Sequence, residues 1–425
     1  LKAEISDIGR VIASMTGAQH AAIADRLLRT HLPERATVLG MSVREADVQL
    51  RLDGAGHGLM DTTHFDTVRF PPPDWALQAF TAAACDGTAA YTAYRGSSDV
   101  LRSCADSVSG LLGIELDPSR NLALTTGTQG ALFATLSALI NEGDVVALTD
   151  PEYLFVERML RFLGAQVLRV GLVDGPDGPQ VNLAELEGLA RQGIRLFMTS
   201  NPHNPTGAVF TAETLHGVAA LAVEHDFAVF VDELYCRLVY GSAPFTHIAA
   251  LPGMAERTIT SLGGSKTESL SGYRIGLVVA PAEIIDAVEQ VLAICCLRAP
   301  AYSQHVLAHW LVDDHDFVAR RVEELHALQA MTVSALRTVP GLTVTAGAGT
   351  AYVWPDVSAL GLTDVEIAKT LQTRAGVVIS PGYQFGPSGI GHFRTCYARD
   401  EAEWERALDG IVATLTAAHG NEGSR

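Results

Sequence analysis

With 425 residues, 48% of them apolar and 18% charged, the chain fits a soluble protein with a well-buried core, in two domains or one large domain with a smaller lobe. Its net charge of −18, from 30 basic and 48 acidic side chains, argues against a nucleic-acid or anionic-membrane surface, because both need a basic footprint. The six cysteines form no CxxC pair and no His/Cys cluster at metal-ligand spacing, so free thiols in a reducing cytoplasm are expected, with no disulfide framework and no metal site.

The first residues, LKAEISDIGRVIASM, place apolar side chains at helical spacing without the apolar run and cleavage site of a signal peptide, so an amphipathic helix is expected. DTTHFDTVRFPPPDW (61–75) is turn-rich and carries three consecutive prolines. From about residue 121 to 280, short β-rich runs alternate with helical patterns. NLALTT, DVVALTD, AQVLRV, IRLFMTS, FAVFVDE, RTITSL and RIGLVVA read as strands, and Asn182 as a helix N-cap. This alternation predicts an α/β fold with a mostly parallel sheet flanked by helices, in which ligands gather at the carboxyl ends of strands. Beyond residue 300 a long helical region (301–338) precedes the strand-like pieces LTVTAG, AYVWP, VVISPG and HFRTCYA, which suggests a smaller α+β lobe. No stretch approaches the ~20 apolar residues of a membrane span. The tail HGNEGSR is polar and expected to be mobile.

Four segments at strand ends carry chemistry. In SLGGSKTESLSGYRIG, Lys266 follows a small-residue turn, and lysine is the side chain that forms Schiff bases with aldehyde cofactors. Ser265 and Arg274 in the same segment can bind phosphate oxygens. Taken alone, a lysine is more often merely solvated. In VFVDELYC, Asp232 ends an apolar strand, where a carboxylate wants a cationic partner such as a pyridinium nitrogen; capping the next turn is the plainer role. Tyr235 lies three residues on, placed to bond a ring oxygen. The turn NPHNPTG offers the amide of Asn204 to the same oxygen, and TTGTQGAL opens a helix whose backbone N–H groups at Thr128 and Gln129 suit a phosphate. Tyr153, just after the strand ending at Asp150, can stack on a flat ring.

These constellations, in this order, resemble the fold-type I pyridoxal 5′-phosphate (PLP) enzymes, specifically the class I/II aminotransferases, over roughly residues 60–415. The resemblance implies that Lys266 carries the cofactor and moves the substrate proton, and that Asp232 faces the pyridinium. It likewise implies that Tyr235 and Asn204 hold the ring oxygen, that Tyr153 stacks, and that Thr128, Gln129, Ser265 and Arg274 hold the phosphate. In YTAYRG, Tyr91 is similar to the tyrosine that reaches the phosphate of the other subunit, which implies a homodimer with shared sites. Arg394, in SPGYQFGPSGIGHFRTCYA, is similar to the arginine that grips the substrate α-carboxylate. The implied division is 1–75 as N-terminal arm, lid and part of a small domain, 76–300 as the large cofactor-binding domain, and 301–425 as the small domain.

Two departures qualify that likeness. Gly263 stands where a serine is frequent, three residues before the lysine, so one phosphate-side hydroxyl is missing. The lid brings His64, Asp66 and Arg69 toward the substrate side chain, with Arg298 as a further anion contact; a solvated arm is the plainer account. The expected function is therefore transamination between an amino acid and a 2-oxo acid. The competing one is PLP-dependent β/γ-elimination, replacement or cyclisation in specialised metabolism. A third possibility, a regulator using such a fold without turnover, has no DNA-binding segment or basic surface to support it.

Overall fold

The computed structural model describes residues 24–30, 59–65, 69–87, 90–175, 178–241 and 245–420. The expected N-terminal amphipathic helix, Asp66 and the last five residues of the tail lie outside them.

Eight strands form the central sheet: β2 (Leu122–Thr125), β3 (Val145–Asp150), β4 (Gln166–Val173), β5 (Gln180–Val181), β6 (Leu196–Ser200), β7 (Ala228–Asp232), β8 (Thr258–Leu262) and β9 (Gly276–Val279), following a short β1 (Met60–Asp61) that lies elsewhere. Their order is β2-β9-β8-β7-β6-β3-β4-β5. Pairing is parallel from β8 through β7, β6 and β3 to β4, while β9 runs antiparallel between β2 and β8. Strands covered on both faces read as continuous apolar runs, and LALT, LFMTS, TITSL and GLVV are buried at every residue. Period-two geometry still sorts their side chains. Val146, Leu148, Met198, Phe230 and Val278 pack with the helices at 127–139, 156–163 and 282–295. Ala147, Phe197, Val229 and Val231 pack on the other face with those at 183–190 and 212–225. Asn182 caps the helix Leu183–Ala190 by accepting from Glu185 N at 3.2 Å.

A second body holds β10 (Tyr352–Val353), β12 (Ser380–Pro381) and β13 (Phe393–Cys396) as a three-stranded antiparallel sheet. Beside it β1 pairs in parallel with β11 (Val377–Val378), which stitches the N-terminal segment into the C-terminal third. The helices at 315–336, 364–370 and 401–420 close its core around Trp404, whose indole donates to Thr332 Oγ1 at 2.7 Å. Tyr235, Leu238 and Tyr240, from the loop after β7, pack into this same core.

Three details differ from the sequence reading. The helical region 301–338 is two helices, Ala301–Leu307 and His315–Leu336. The break lies where Leu311 takes a left-handed φ of 67° and the buried Asp314 carboxylate receives both Leu311 N and the Arg237 guanidinium. LTVTAG forms only a one-residue bridge, Thr343 to Asp356. Ahead of the sheet, helices for which the sequence reading made no assignment occupy Asp74–Asp86, starting directly after the prolines, and Ser98–Leu112. No described helix is long and apolar enough to cross a membrane.

Candidate active site

The parallel strands end along one edge of the sheet, and their following loops converge there. A cavity of about 210 Å³ opens at this edge, lined by Thr128 and Gln129 after β2, Tyr153 after β3, and Asn204 after β6. Asp232 at the end of β7, Tyr235 just beyond it, and Lys266 four residues past β8 complete the sheet side. The smaller body supplies Tyr352 from β10 and Arg394 from β13. Eight sequence-predicted residues thus meet in one place, drawn from six separate loops and strands. Ser265 is buried next to Lys266.

Charge inside the cavity is unbalanced in a specific way. Asp232 faces it, and burial pushes its carboxyl up to about 6, against the hydrogen bond from Ser261 Oγ (2.7 Å) that favours the ionised form. No cation pairs with Asp232 among the described residues. Arg394 is 1% exposed yet meets no carboxylate there: Nη1 donates to Asn204 Oδ1 (2.7 Å), Nη2 to the Thr63 carbonyl (2.8 Å), and Nε has no partner. Its guanidinium lies 4.1 Å from the Tyr352 ring centre and 4.8 Å from that of Phe385. A buried cation with unused donors, opposite a buried acid with no cation, is the pattern of a site built for a charged guest. The bond to Arg394 also orients Asn204, since the amide oxygen is engaged and the NH2 group becomes its free donor.

Two phenols stand beside Lys266. The Tyr235 hydroxyl donates to that of Tyr352 at 2.9 Å. Burial and its phenol neighbour push Tyr235 well above the usual tyrosine range, whereas Tyr352, although buried, is lowered by the charges of Arg394 and Lys266. Tyr153 donates to Gln129 Oε1 at 3.3 Å and packs edge-on against Phe155, so its ring forms a fixed wall.

At the far end of the cavity the helix Gly127–Leu139 begins, and Arg274 packs against its first turn. A Cβ on Gly127, whose φ is +68°, would lie 2.6 Å from Arg274 Nη2, and one on Gly276 would lie 2.8 Å from Thr128 N. Only glycine leaves this cradle open. Helix N–H groups and an arginine that forms no ion pair among the described residues make an anion site. These features fit PLP: an amine and an acid on one cavity, a flat aromatic wall, and a phosphate-sized cradle beyond.

The other predicted residues stay outside. His64 sits 3.2 Å from Asp61, and Arg69 3.9 Å from Asp400 in a groove with the three prolines. The lid instead reaches the cavity through its backbone, the Thr63 carbonyl on Arg394. Tyr91 is 80% exposed, and the Arg298 guanidinium lies 4.6 Å over its ring. Sequence reasoning passed over Tyr352, Ser200 and Glu152. For Glu152 a signal existed: it is an acid two residues past the end of an apolar strand. Tyr352 had none, since AYVWP reads only as a strand.

Residues 61–411 match the family "Aminotransferase class I and II". The chain is 28% identical over 395 residues to an aspartate aminotransferase of Musicola paradisiaca, covering 93% of this chain and 96% of that one. It is 30% identical over 326 residues to an arginine–pyruvate transaminase of Pseudomonas aeruginosa, covering 76% and 82%. The crystal structure of an aspartate aminotransferase from Rhodobacter sphaeroides superposes with a TM-score of 0.82 at 33% identity, over 85% of this chain and 93% of that one. The fold is therefore fold-type I, and with transaminases as the relatives the elimination, replacement and cyclisation alternative is not favoured.

Proposed function

The chain belongs to the class I and II aminotransferases and is a PLP-dependent enzyme of that kind; from that premise we propose that Lys266 is its cofactor-bearing, proton-moving residue and Arg394 its α-carboxylate receptor. The observation that carries this reading is the pairing of opposites in one cavity, Asp232 without a cation and Arg394 without an anion among the described residues. When bound, PLP supplies an aldehyde that captures the amino group and an electron-withdrawing ring that shares the electron pair left by the α-proton.

Each side chain then has one task. Asp232 would meet the charge of a protonated ring nitrogen, which would relieve its own desolvation. Tyr153 would wall the ring, and the Asn204 amide, with Tyr235 once its hydroxyl turns from Tyr352, would hold the ring oxygen. Thr128, Gln129, Ser265 and Arg274 would hold the phosphate. Arg394 receives the amino acid's carboxylate with a planar fork that lysine lacks, and so fixes the α-hydrogen toward Lys266. The Lys266 amine would take that proton and hold it for return within the same site. The net result would be passage of the amino group from the amino acid to a 2-oxo acid, with the donor leaving as its own 2-oxo acid.

The protein works as a cytoplasmic homodimer. Support comes from the exposed set Tyr91, Tyr94, Ile294 and Leu297 around Arg298, which suits cover by a second copy. Tyr91 reaches the partner's phosphate, while Arg298, His64 and Arg69 stand at the rim, where they would meet only the far end of a large substrate side chain. The large domain is 76–300. The arm 1–75 and residues 301–425 make the smaller one, a division supported by the β1–β11 pair and the Trp404 core.

The test is a half-reaction. Purified enzyme is mixed with single amino acids and no acceptor. One equivalent of 2-oxo acid per site, without ammonia, supports transamination; catalytic ammonia release or loss of a β-substituent overturns it.

A further inference from the structure

We propose that Glu152 is a positioning residue of the transamination site, a buried carboxylate that sets the Tyr153 wall and the Asn204 turn against each other, and that an amide cannot replace it. This rests on the cavity being an aminotransferase site.

Glu152 is 3% exposed and follows β3 by two residues. Its Oε1 accepts from Tyr153 N and from Ser200 Oγ, each at 2.7 Å. Its Oε2 accepts from Thr149 Oγ1 at 2.6 Å and Ser200 N at 2.9 Å, with His203 Nε2 at 3.5 Å. Ser200 Oγ in turn accepts from Asn204 N at 3.0 Å. One carboxylate thus grips the residue that forms the ring wall and, through one hydroxyl, the turn that carries the ring-oxygen donor. Burial opposes its ionisation, but the charge of His203 and the converging donors outweigh burial and hold it below the usual glutamate range.

Glutamine has the same shape and fails for a specific reason. Each carboxylate oxygen receives a backbone N–H, Tyr153 on one side and Ser200 on the other, and a backbone donor cannot reverse. Whichever way the amide is turned, its NH2 faces an N–H. One of the two loops must move away. Aspartate, one methylene shorter, cannot span both. Glu152 also adds negative charge near Asp232, a contribution to that acid's raised pKa, and so favours a cation opposite it.

The test compares Glu152→Gln with Thr149→Val, which removes one side-chain donor from the same carboxylate and leaves both backbone donors in place. Both are measured for unfolding temperature without cofactor, for PLP affinity by titration of the apoprotein, and for circular dichroism of the bound cofactor's visible band. Turnover is followed over a range of substrate concentrations up to saturation. The expected result is that both variants unfold earlier, while Glu152→Gln alone binds PLP at least tenfold more weakly, changes the visible dichroism and loses at least tenfold in kcat with KM nearly unchanged. Equal losses in the two variants, or an unchanged dichroic band in Glu152→Gln, overturn the proposal. Should Glu152→Gln not fold, Ser200→Ala carries the test. It removes the hydroxyl that joins Glu152 to Asn204, leaves both backbone donors on the carboxylate, and should shift the pH midpoint of the cofactor's absorption; an unmoved midpoint refutes the relay. Wild-type PLP binding and the half-reaction are run alongside, so failure of the aminotransferase reading shows in the wild type and failure of the Glu152 role only in the variants.

Discussion

At the carboxyl ends of β2, β3, β6, β7 and β8, five loops bring Thr128, Tyr153, Asn204, Asp232 and Lys266 to one cavity, whereas the segment 59–70 and the Arg298 corner leave His64, Arg69, Tyr91 and Arg298 outside it. The first group is fixed by a sheet whose strands are buried on both faces, so every loop starts from a rigid point. The second sits on surface segments whose partners are a neighbouring aspartate, a neighbouring ring or solvent. The expected cofactor ligands thus gather at the strand ends, and the expected side-chain contacts lie on the rim.

The contrast breaks most decisively at Lys266. Lys266→Ala should lower turnover by roughly 10⁴-fold and erase the visible band of bound cofactor, since it removes both the covalent anchor and the proton carrier. A variant with an unchanged spectrum would place the anchor elsewhere. Asp232→Asn should cost roughly 10²–10³ in kcat, because an electrostatic partner aimed at developing charge is lost from a desolvated site. Arg394→Lys should raise KM for the amino acid about 10- to 100-fold, with a smaller loss of PLP affinity, as a point charge replaces a fork that also holds Asn204.

Asp232 allows a further test without any substrate. Its folded pKa of about 6 lies above the ordinary 3.8, so folding favours the protonated acid. Below pH ~4 the group is protonated folded or unfolded and carries no penalty. As pH rises toward 6, the unfolded chain ionises first and stability falls by up to about 3 kcal/mol, then levels off. Apoprotein melting should show this loss between pH 4 and 6, and Asp232→Asn should be flatter there by the same amount. PLP should abolish the difference, because a cationic ring reverses the preference.

The sheet and the residues that line the cavity were legible in the sequence because both obey local rules: apolar runs set the strands, and each motif sits where a strand stops. Glu152 lies two residues past such a strand end, but its partners include the backbone N–H groups of Tyr153 and Ser200, which no side-chain pattern displays. Tyr352 and the Thr63 carbonyl come from the other body, and their approach to Arg394 depends on the β1–β11 pairing, a contact more than 300 residues long in sequence. The broken helix at 308–314 is likewise set by a distant partner, Arg237. Long-range ion pairs override helical periodicity, which the sequence shows without interruption.

The smallest expected effects fall on the rim, and they sharpen the comparison by asking whose site the rim serves. His64→Ala and Arg69→Ala should change KM by no more than about twofold for small substrates, as expected for surface side chains with weak exposed pairs. Tyr91→Phe should weaken PLP retention a few-fold by loss of one hydrogen bond, about 1 kcal/mol. A mixing experiment assigns the subunit. If Tyr91 serves the partner, a hybrid of Lys266→Ala with Tyr91→Phe has one site with intact lysine and intact partner tyrosine only when both changes burden the same site. The Tyr91→Phe subunit keeps Lys266 and receives wild-type Tyr91 from the Lys266→Ala subunit, so its site should bind PLP with wild-type affinity. If Tyr91 acts within its own chain, that active site keeps the weakened affinity. Measuring PLP dissociation from the hybrid's active half separates the two outcomes directly.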